Sequence, residues 1–327
     1  MRLLVLGGTR FVGRSIVTDA LDRGWHVDAL NRGETGPLPD GAQHLSADRT
    51  DRAQLEQSLG DGRWDLVVDT WAKAPRVVQL AAQVLKGRTG RFGYTSSISV
   101  YTGGRPAGGD ESWPVVEADP AADATDYAAD KRGSELAVLD AFPDALIGRP
   151  GMILGPHENV GRLPWWLTRA ARGGRVVAPG RPDLPLQYVD TRDLARWLLD
   201  GLESGVAGAV DIVTPPGTVT IGSFLDAIVR ATGSDAELVW VPEQDLLDAG
   251  VQPWTQIPGW IPSLDPEDAG FMSSSTARAE ETGLRCRPID ETVRDTWAWL
   301  QREPMTDFRG HGLPPDLEQR ILATVKA

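Results

Sequence analysis

The stretch LLVLGGTRFVG, residues 3–13, constrains the fold of this chain more than any other. Four apolar residues read as a buried strand. They run into Gly7-Gly8, and a third glycine, Gly13, lies within the helical pattern that spans 11–23. Gly7 permits a sharp turn, and Gly13 permits the helix to pack close to the strand. The first N–H groups of a helix have no intrahelical partner and carry a partial positive charge. A strand, a glycine turn and a helix in this order therefore make a cradle for a dinucleotide pyrophosphate.

The segments that follow keep the same rhythm. Apolar, β-branched runs at 26–31, 43–47, 65–70, 91–96 and 144–150 read as strands. Helical spacing recurs at 51–59 and 75–86. Strands alternating with helices across short links predict parallel strands and right-handed crossovers, hence a doubly wound α/β sheet of Rossmann type. Residues 103–125 break the pattern. They are rich in Gly, Pro, Ala and acid and read as a mobile, solvated loop.

After residue 150 the pattern loosens. Helices are expected near 161–173, 191–203, 220–231, 290–301 and 314–325, and short strands near 175–178, 187–189, 209–213 and 237–241. Residues 252–263 read as a Pro/Trp-rich loop. The predicted organisation is a nucleotide-binding core over 1–155 and a smaller, mainly substrate-binding α/β region over 156–327, with about 186–213 returning to the core.

Composition narrows the function. A net charge of -13 disfavours nucleic acid and anionic membranes as partners. No apolar run reaches the ~18 residues of a membrane span, and the first residues read as a strand rather than a signal peptide. With Cys286 the sole cysteine, no internal disulfide forms, and a cytoplasmic location is expected. The histidines, His26, His44, His157 and His311, show no metal-ligand spacing, so no metal is expected.

Four further motifs follow the glycine turn in order. YTSSISVY, 94–101, closes the fifth strand. YAADK, Tyr127–Lys131, lies in a helical pattern that sets both residues on one face. GRPGMILGP, 148–156, and LQYVDTRDLARWLL, 186–199, come next. Together with GGTRFVG these resemble the extended short-chain dehydrogenases/reductases, the NAD(P)-dependent epimerase/dehydratase family. The resemblance is good over about 1–200 and loose beyond. It extends to a branch in which an arginine, here Arg10, replaces the middle glycine of the turn.

The resemblance implies site residues. Ser97 would hydrogen-bond the substrate carbonyl or hydroxyl, Tyr127 would pass the proton, and Lys131 would hold the nicotinamide ribose and lower the tyrosine pKa. Gly7, Thr9, Arg10, Phe11, Val12 and Gly13 would cradle the cofactor. Asp48 would face the adenine, Trp71 and Ala72 would line the cofactor, and Pro150 would lie along the nicotinamide. Asp190 or Thr191 would cap a helix. Relatives pair as dimers through the helix bearing the tyrosine, so a homodimer is a further expectation.

Cofactor choice is read after the second strand. An acid there binds the adenosine ribose of NAD, whereas a basic residue accommodates the 2′-phosphate of NADP. This chain has Asn31-Arg32, and Asp28 lies too early, inside the strand. NADP(H) is therefore the expected cofactor, with Arg10 assisting Arg32, and NAD(H) is the alternative.

The predicted activity is hydride transfer between the nicotinamide and a carbonyl, imine or alcohol of a small metabolite. Ile98-Ser99 stand where the dehydratases of the family carry an acidic pair, which argues against elimination chemistry. A sugar-nucleotide epimerase with recycled cofactor is the alternative, and a non-catalytic RNA-binding relative is a third reading. Eight of the 12 tryptophans follow residue 160. Trp165, Trp166, Trp254 and Trp260 are candidates either for an aromatic substrate wall or for core packing.

Overall fold

Seven parallel strands make the central sheet of the computed structural model, which describes residues 1–264, 268 and 270–325. Numbered in chain order, they are β1 (Arg2–Leu6), β2 (His26–Asn31), β3 (Gln43–Ser46), β4 (Trp64–Asp69), β5 (Thr89–Thr95), β6 (Leu146–Pro150) and β10 (Gly208–Ile212). Two small parallel pairs lie outside it: β7 (Met152–Leu154) with β9 (Tyr188–Asp190), and β8 (Arg175–Pro179) with β11 (Glu237–Val241). The main sheet runs β3-β2-β1-β4-β5-β6-β10. The winding reverses between β1 and β4, and a doubly wound sheet opens its ligand crevice at the strand ends there.

Both faces of this sheet are covered, and β1 shows how. Leu3 and Val5 join the core with Ile16 and Val17 of α1 (Phe11–Asp22) and Leu194 and Leu198 of α6 (Thr191–Ser204). Leu4 and Leu6 point the other way. They meet Leu55 of α2 (Arg52–Leu59), Val78 and Ala81 of α3 (Pro75–Leu85) and Val138 of α4 (Tyr127–Ala141). A strand buried on both faces reads as an unbroken apolar run, as LLVL does.

The last third builds its own core around β8 and β11. The helices there are α5 (Arg162–Ala170), α7 (Ile221–Thr232), α8 (Glu243–Asp248), α10 (Ile289–Arg302) and α11 (Pro315–Thr324), whereas α9 (Ala277–Glu281) buries Ala279 in the core of the main sheet. Trp165, Trp166, Trp260 and Trp299 are buried in this core. The strand β7 and the short helices α8 and α9 had no periodic signal in the sequence. Three to six residues are too few to show a repeat.

The loop 103–125 is tied down rather than mobile. Arg105 is buried, and its guanidinium reaches Asp211 on β10 at 2.6 Å and the Ser274 hydroxyl at 3.1 Å. The Gly108 N–H donates to the Ser273 carbonyl, and Glu111 accepts from the Asp211 N–H. Residues 119, 123 and 126 of the acidic run that follows remain solvated.

Candidate active site

The glycine turn owes its shape to close backbone approach. Gly7 has φ +131°, and a Cβ there would stand 2.8 Å from the Thr70 hydroxyl. A Cβ on Gly13 would stand 2.7 Å from the Gly8 nitrogen. Both positions therefore exclude a side chain. Phe11 opens α1 at φ +36°, a strained conformation for a residue with a Cβ. Arg10 precedes it in extended conformation, its Nε donating to the Thr35 carbonyl at 3.3 Å. The arginine braces the 33–37 loop against the turn.

A groove of about 360 Å³ follows the ends of β1, β2 and β4. Gly7, Thr9, Asn31, Arg32, Asp48, Trp71 and Ala72 border it; Arg10, Val12 and Gly13 do not. Asn31 is a strut. Its amide donates to the Gly7 carbonyl at 3.2 Å and accepts from the Gly33 N–H at 2.8 Å. Arg32 is exposed and pairs with Glu34 at 3.0 Å, and Glu34 borders the same groove. Asp48 does not cap α2, because Asp51 does so. Asp48 instead accepts from the Thr50 N–H and hydroxyl, which hold its carboxyl below its usual range. The excluded Cβ positions and the groove together fit an extended dinucleotide.

Ala72 also borders a second, larger cavity of about 1160 Å³, where Ser97, Tyr127 and Pro150 meet. Ser97 caps a single 3-10 turn, Ile98–Val100, so β5 ends with the serine side chain at the cavity wall. Its hydroxyl accepts from the Ser99 N–H and donates to the Ser99 hydroxyl, both at 3.1 Å. Ser96 serves another purpose: it donates to the buried Glu135 at 2.6 Å.

Tyr127 and Lys131 share a face of α4 but differ in depth. Asp126 caps the helix by accepting from the Ala129 N–H at 3.0 Å, which seats Tyr127 at its first position. Tyr127 is 52% exposed and Lys131 3%. The cavity wall desolvates the phenol end of this half-exposed side chain and raises its pKa; the nearby Ser97 hydroxyl and the charge of Arg162 oppose that rise. Lys131 donates to the carbonyls of Thr95 at 2.6 Å and Trp71 at 2.8 Å. Burial pulls its pKa down to about 8, against the opposing charges of Asp69 and Glu135. Arg162, at the start of α5, is a cation that acts on the phenol.

Two groups of residues escaped the sequence reading. Asp69, at the end of β4, is fully buried and forms a bidentate pair with Arg49 at 2.7 and 2.5 Å. It also accepts from the Trp71 N–H at 2.9 Å. Trp71 therefore joins the groove to Lys131: its N–H binds Asp69 and its carbonyl binds the ammonium. The second is Arg162, in the wall of the large cavity. An acid at a strand end after an apolar run was the only available hint of the first, and nothing local marked the second. Of the four candidate tryptophans, only Trp254 borders the large cavity; Trp165, Trp166 and Trp260 belong to the core. Asp190 caps α6, accepting from the Arg192 N–H at 2.8 Å.

Among the described residues, no helix is long and apolar enough to cross a membrane, and no group of three His, Cys, Asp or Glu could hold a metal.

Comparison with known proteins agrees with this fold. The chain is 26% identical over 263 residues to the ceramide reductase of Caulobacter vibrioides, spanning 77% of this chain and 78% of that one. Its fold is similar to that of Bordetella bronchiseptica WbmH, solved with NAD⁺: TM-score 0.71, 20% identity, 93% of this chain and 99% of that one. It is also similar to the Thermus thermophilus UDP-glucose 4-epimerase solved with NAD: TM-score 0.66, 22% identity, 92% and 99%. A model of the NAD dependent epimerase/dehydratase family matches residues 3–213, and the chain belongs to that family.

Proposed function

We propose that the protein is an NADP(H)-dependent oxidoreductase acting on a carbonyl, imine or alcohol of a small, largely apolar metabolite. The observation that carries this reading is the placement of Ser97 and Tyr127 on one wall of a large, mostly apolar cavity that meets the nucleotide groove at Ala72. A bound nicotinamide would supply or accept the hydride. In the reducing direction Ser97 holds the substrate oxygen, and Tyr127 donates its proton to that oxygen as negative charge builds there. Burial keeps the phenol protonated at neutral pH, as a donor requires. Lys131, charged below pH about 8, borders neither the groove nor the cavity, and to hold the ribose hydroxyls it would have to exchange its Trp71 or Thr95 carbonyl for them.

The apolar lining, with Ile98, Met152, Ile153 and Leu247, suits a hydrocarbon or ring better than a sugar nucleotide. The reductase name of the Caulobacter relative supports the reaction class and leaves the substrate open. NADP preference rests on Arg32, which would exchange its exposed Glu34 partner for a 2′-phosphate. Glu34 is also the observation that favours a second reading, a self-recycling epimerase holding NAD, because an acid at that end of the groove suits an adenosine ribose.

The test is to denature the purified protein and identify any released nicotinamide, then to titrate the empty protein with NADPH and NADH. Tighter NADPH binding that weakens in Arg32→Ala supports the proposal. Stoichiometric NAD⁺ in the extract supports the epimerase instead.

A further inference from the structure

The large cavity has one lysine or arginine among its described lining residues, Arg162; its guanidinium feels the charge of the buried Glu158 carboxylate but makes no direct ion pair with it. It makes no hydrogen bond and no ion pair within 4.0 Å among the described residues, and its Nε is sealed from solvent without a partner. Glu158 lies nearby but is spent on the backbone, accepting from the N–H groups of Arg162 at 2.7 Å and Leu163 at 3.3 Å. Asp268, the acidic residue among the described lining of this cavity, also has an interaction. A half-buried cation whose guanidinium lacks a hydrogen-bond acceptor is costly, and in a net acidic chain it calls for a reason.

The surroundings hold this cation in place. Its guanidinium lies over the Trp254 ring, 5.0 Å from the centroid. Trp254 is itself fixed at φ +63° and packed edge-on against Phe271 at 5.6 Å. Two of the four non-glycine residues with positive φ among those described, Phe11 and Trp254, border this cavity, and such strain gathers at ligand sites. Arg162 also acts electrostatically on Tyr127.

We infer that Arg162 is the docking point for an oxyanion of the substrate, a carboxylate or phosphate carried on an apolar or aromatic body. The planar fork of the guanidinium would take two oxygens, Trp254 would support it from below, and the apolar wall would take the body. Held this way, the substrate's reacting oxygen is confined to the Ser97–Tyr127 side of the same cavity. This inference deepens the proposed function by naming its substrate class.

The experiment uses the cofactor-free protein and simple probes. Benzoate, phenyl phosphate, benzamide and benzyl alcohol are titrated by ligand-observed NMR into wild type, Arg162→Gln and Arg162→Lys. The expected result is that at least one anionic probe binds roughly tenfold or more tighter than the neutral ones. That preference should vanish in Arg162→Gln and return in part in Arg162→Lys. Which anion binds better distinguishes carboxylate from phosphate. Equal binding of charged and neutral probes, absence of binding by all four, or a preference that survives Arg162→Gln overturns the inference. An unchanged melting temperature and NADPH affinity confirm that the Gln variant is folded. Failure of both nicotinamides to bind while the anion preference stands would sink the oxidoreductase reading alone. NADPH binding without any anion preference would sink the oxyanion site alone.

Discussion

Arg105 and Asp211 are 106 residues apart in the chain and form a buried ion pair at 2.6 Å. The pair joins the loop 103–125 to the last strand of the main sheet. Burial pushes the Asp211 carboxyl up, and Arg105 works against that push by favouring the charged form. Removing the arginine strands a carboxylate in the interior, a change that costs ~3–5 kcal/mol for pairs of this kind. Arg105→Ala should therefore melt well below wild type and be cut by protease within 103–125. Arg105→Ala combined with Asp211→Asn should recover part of the stability, since no charge is then left unpaired. Thermal melts with limited proteolysis of both variants decide this, and wild-type resistance in Arg105→Ala would show that other contacts hold the loop.

That loop marks the boundary of what the sequence discloses. Its Gly, Pro and acidic residues signal a solvated connection, and locally they are one, yet the anchor of Arg105 lies on β10. Only the folded chain brings the two together. Trp165 and Trp166 teach the same lesson, because composition cannot tell a core aromatic from a cavity wall. By contrast, the glycine turn, the strand–helix alternation and the Tyr127–Lys131 spacing rest on neighbours within a few residues. Periodicity reports such features directly. Arg162 fell between the two cases, being near Trp165 in sequence but defined by Trp254 and Tyr127.

The glycines of the turn offer a graded test. At Gly13 an added Cβ would meet the Gly8 backbone nitrogen at 2.7 Å, and backbone cannot swing aside as a side chain can. At Gly24 the space is open, and the cost is only the left-handed backbone at φ +75°. Gly24→Ala should lose about 1 kcal/mol and bind NADPH like wild type. Gly13→Ala should lose ~1–3 kcal/mol by forced overpacking and bind NADPH markedly more weakly, because α1 must move off β1. Melting curves and NADPH titrations of the two variants provide the comparison. Equal affinities would mean that the turn does not hold the cofactor.

Tyr127 and Lys131 should separate by pH. The phenol is raised by burial and stays protonated through neutrality, whereas the Lys131 ammonium is pulled down to about 8. Carbonyl reduction should therefore fall as pH rises above about 8, and Tyr127→Phe should cost ~10²–10⁴-fold in kcat with NADPH affinity retained. Stability should move the other way. The folded pKa lies below the unfolded value of 10.5, so between about 8 and 10.5 the unfolded chain binds more protons and this group's contribution to stability rises with pH. Wild type should gain on Lys131→Met across that window in paired melts. A constant difference between the two would show that Lys131 titrates normally.

Arg49 and Asp69 make the last test, because their pair lies under the groove and is linked through Trp71 to Lys131. Arg49 also lies over the Trp71 ring, 5.1 Å from its centroid. Arg49→Met leaves Asp69 fully buried without its cation, so a loss of ~3–5 kcal/mol is expected. Asp69→Asn would preserve the acceptor for the Trp71 N–H and remove the opposite charge that helps keep Lys131 protonated. In that variant the high-pH fall in reduction should shift to lower pH while NADPH affinity changes little. A pH profile unchanged from wild type would reduce Asp69 to a structural partner of Arg49. A shifted profile in a stably folded protein would identify it as a positioning residue that acts on the reaction through Lys131.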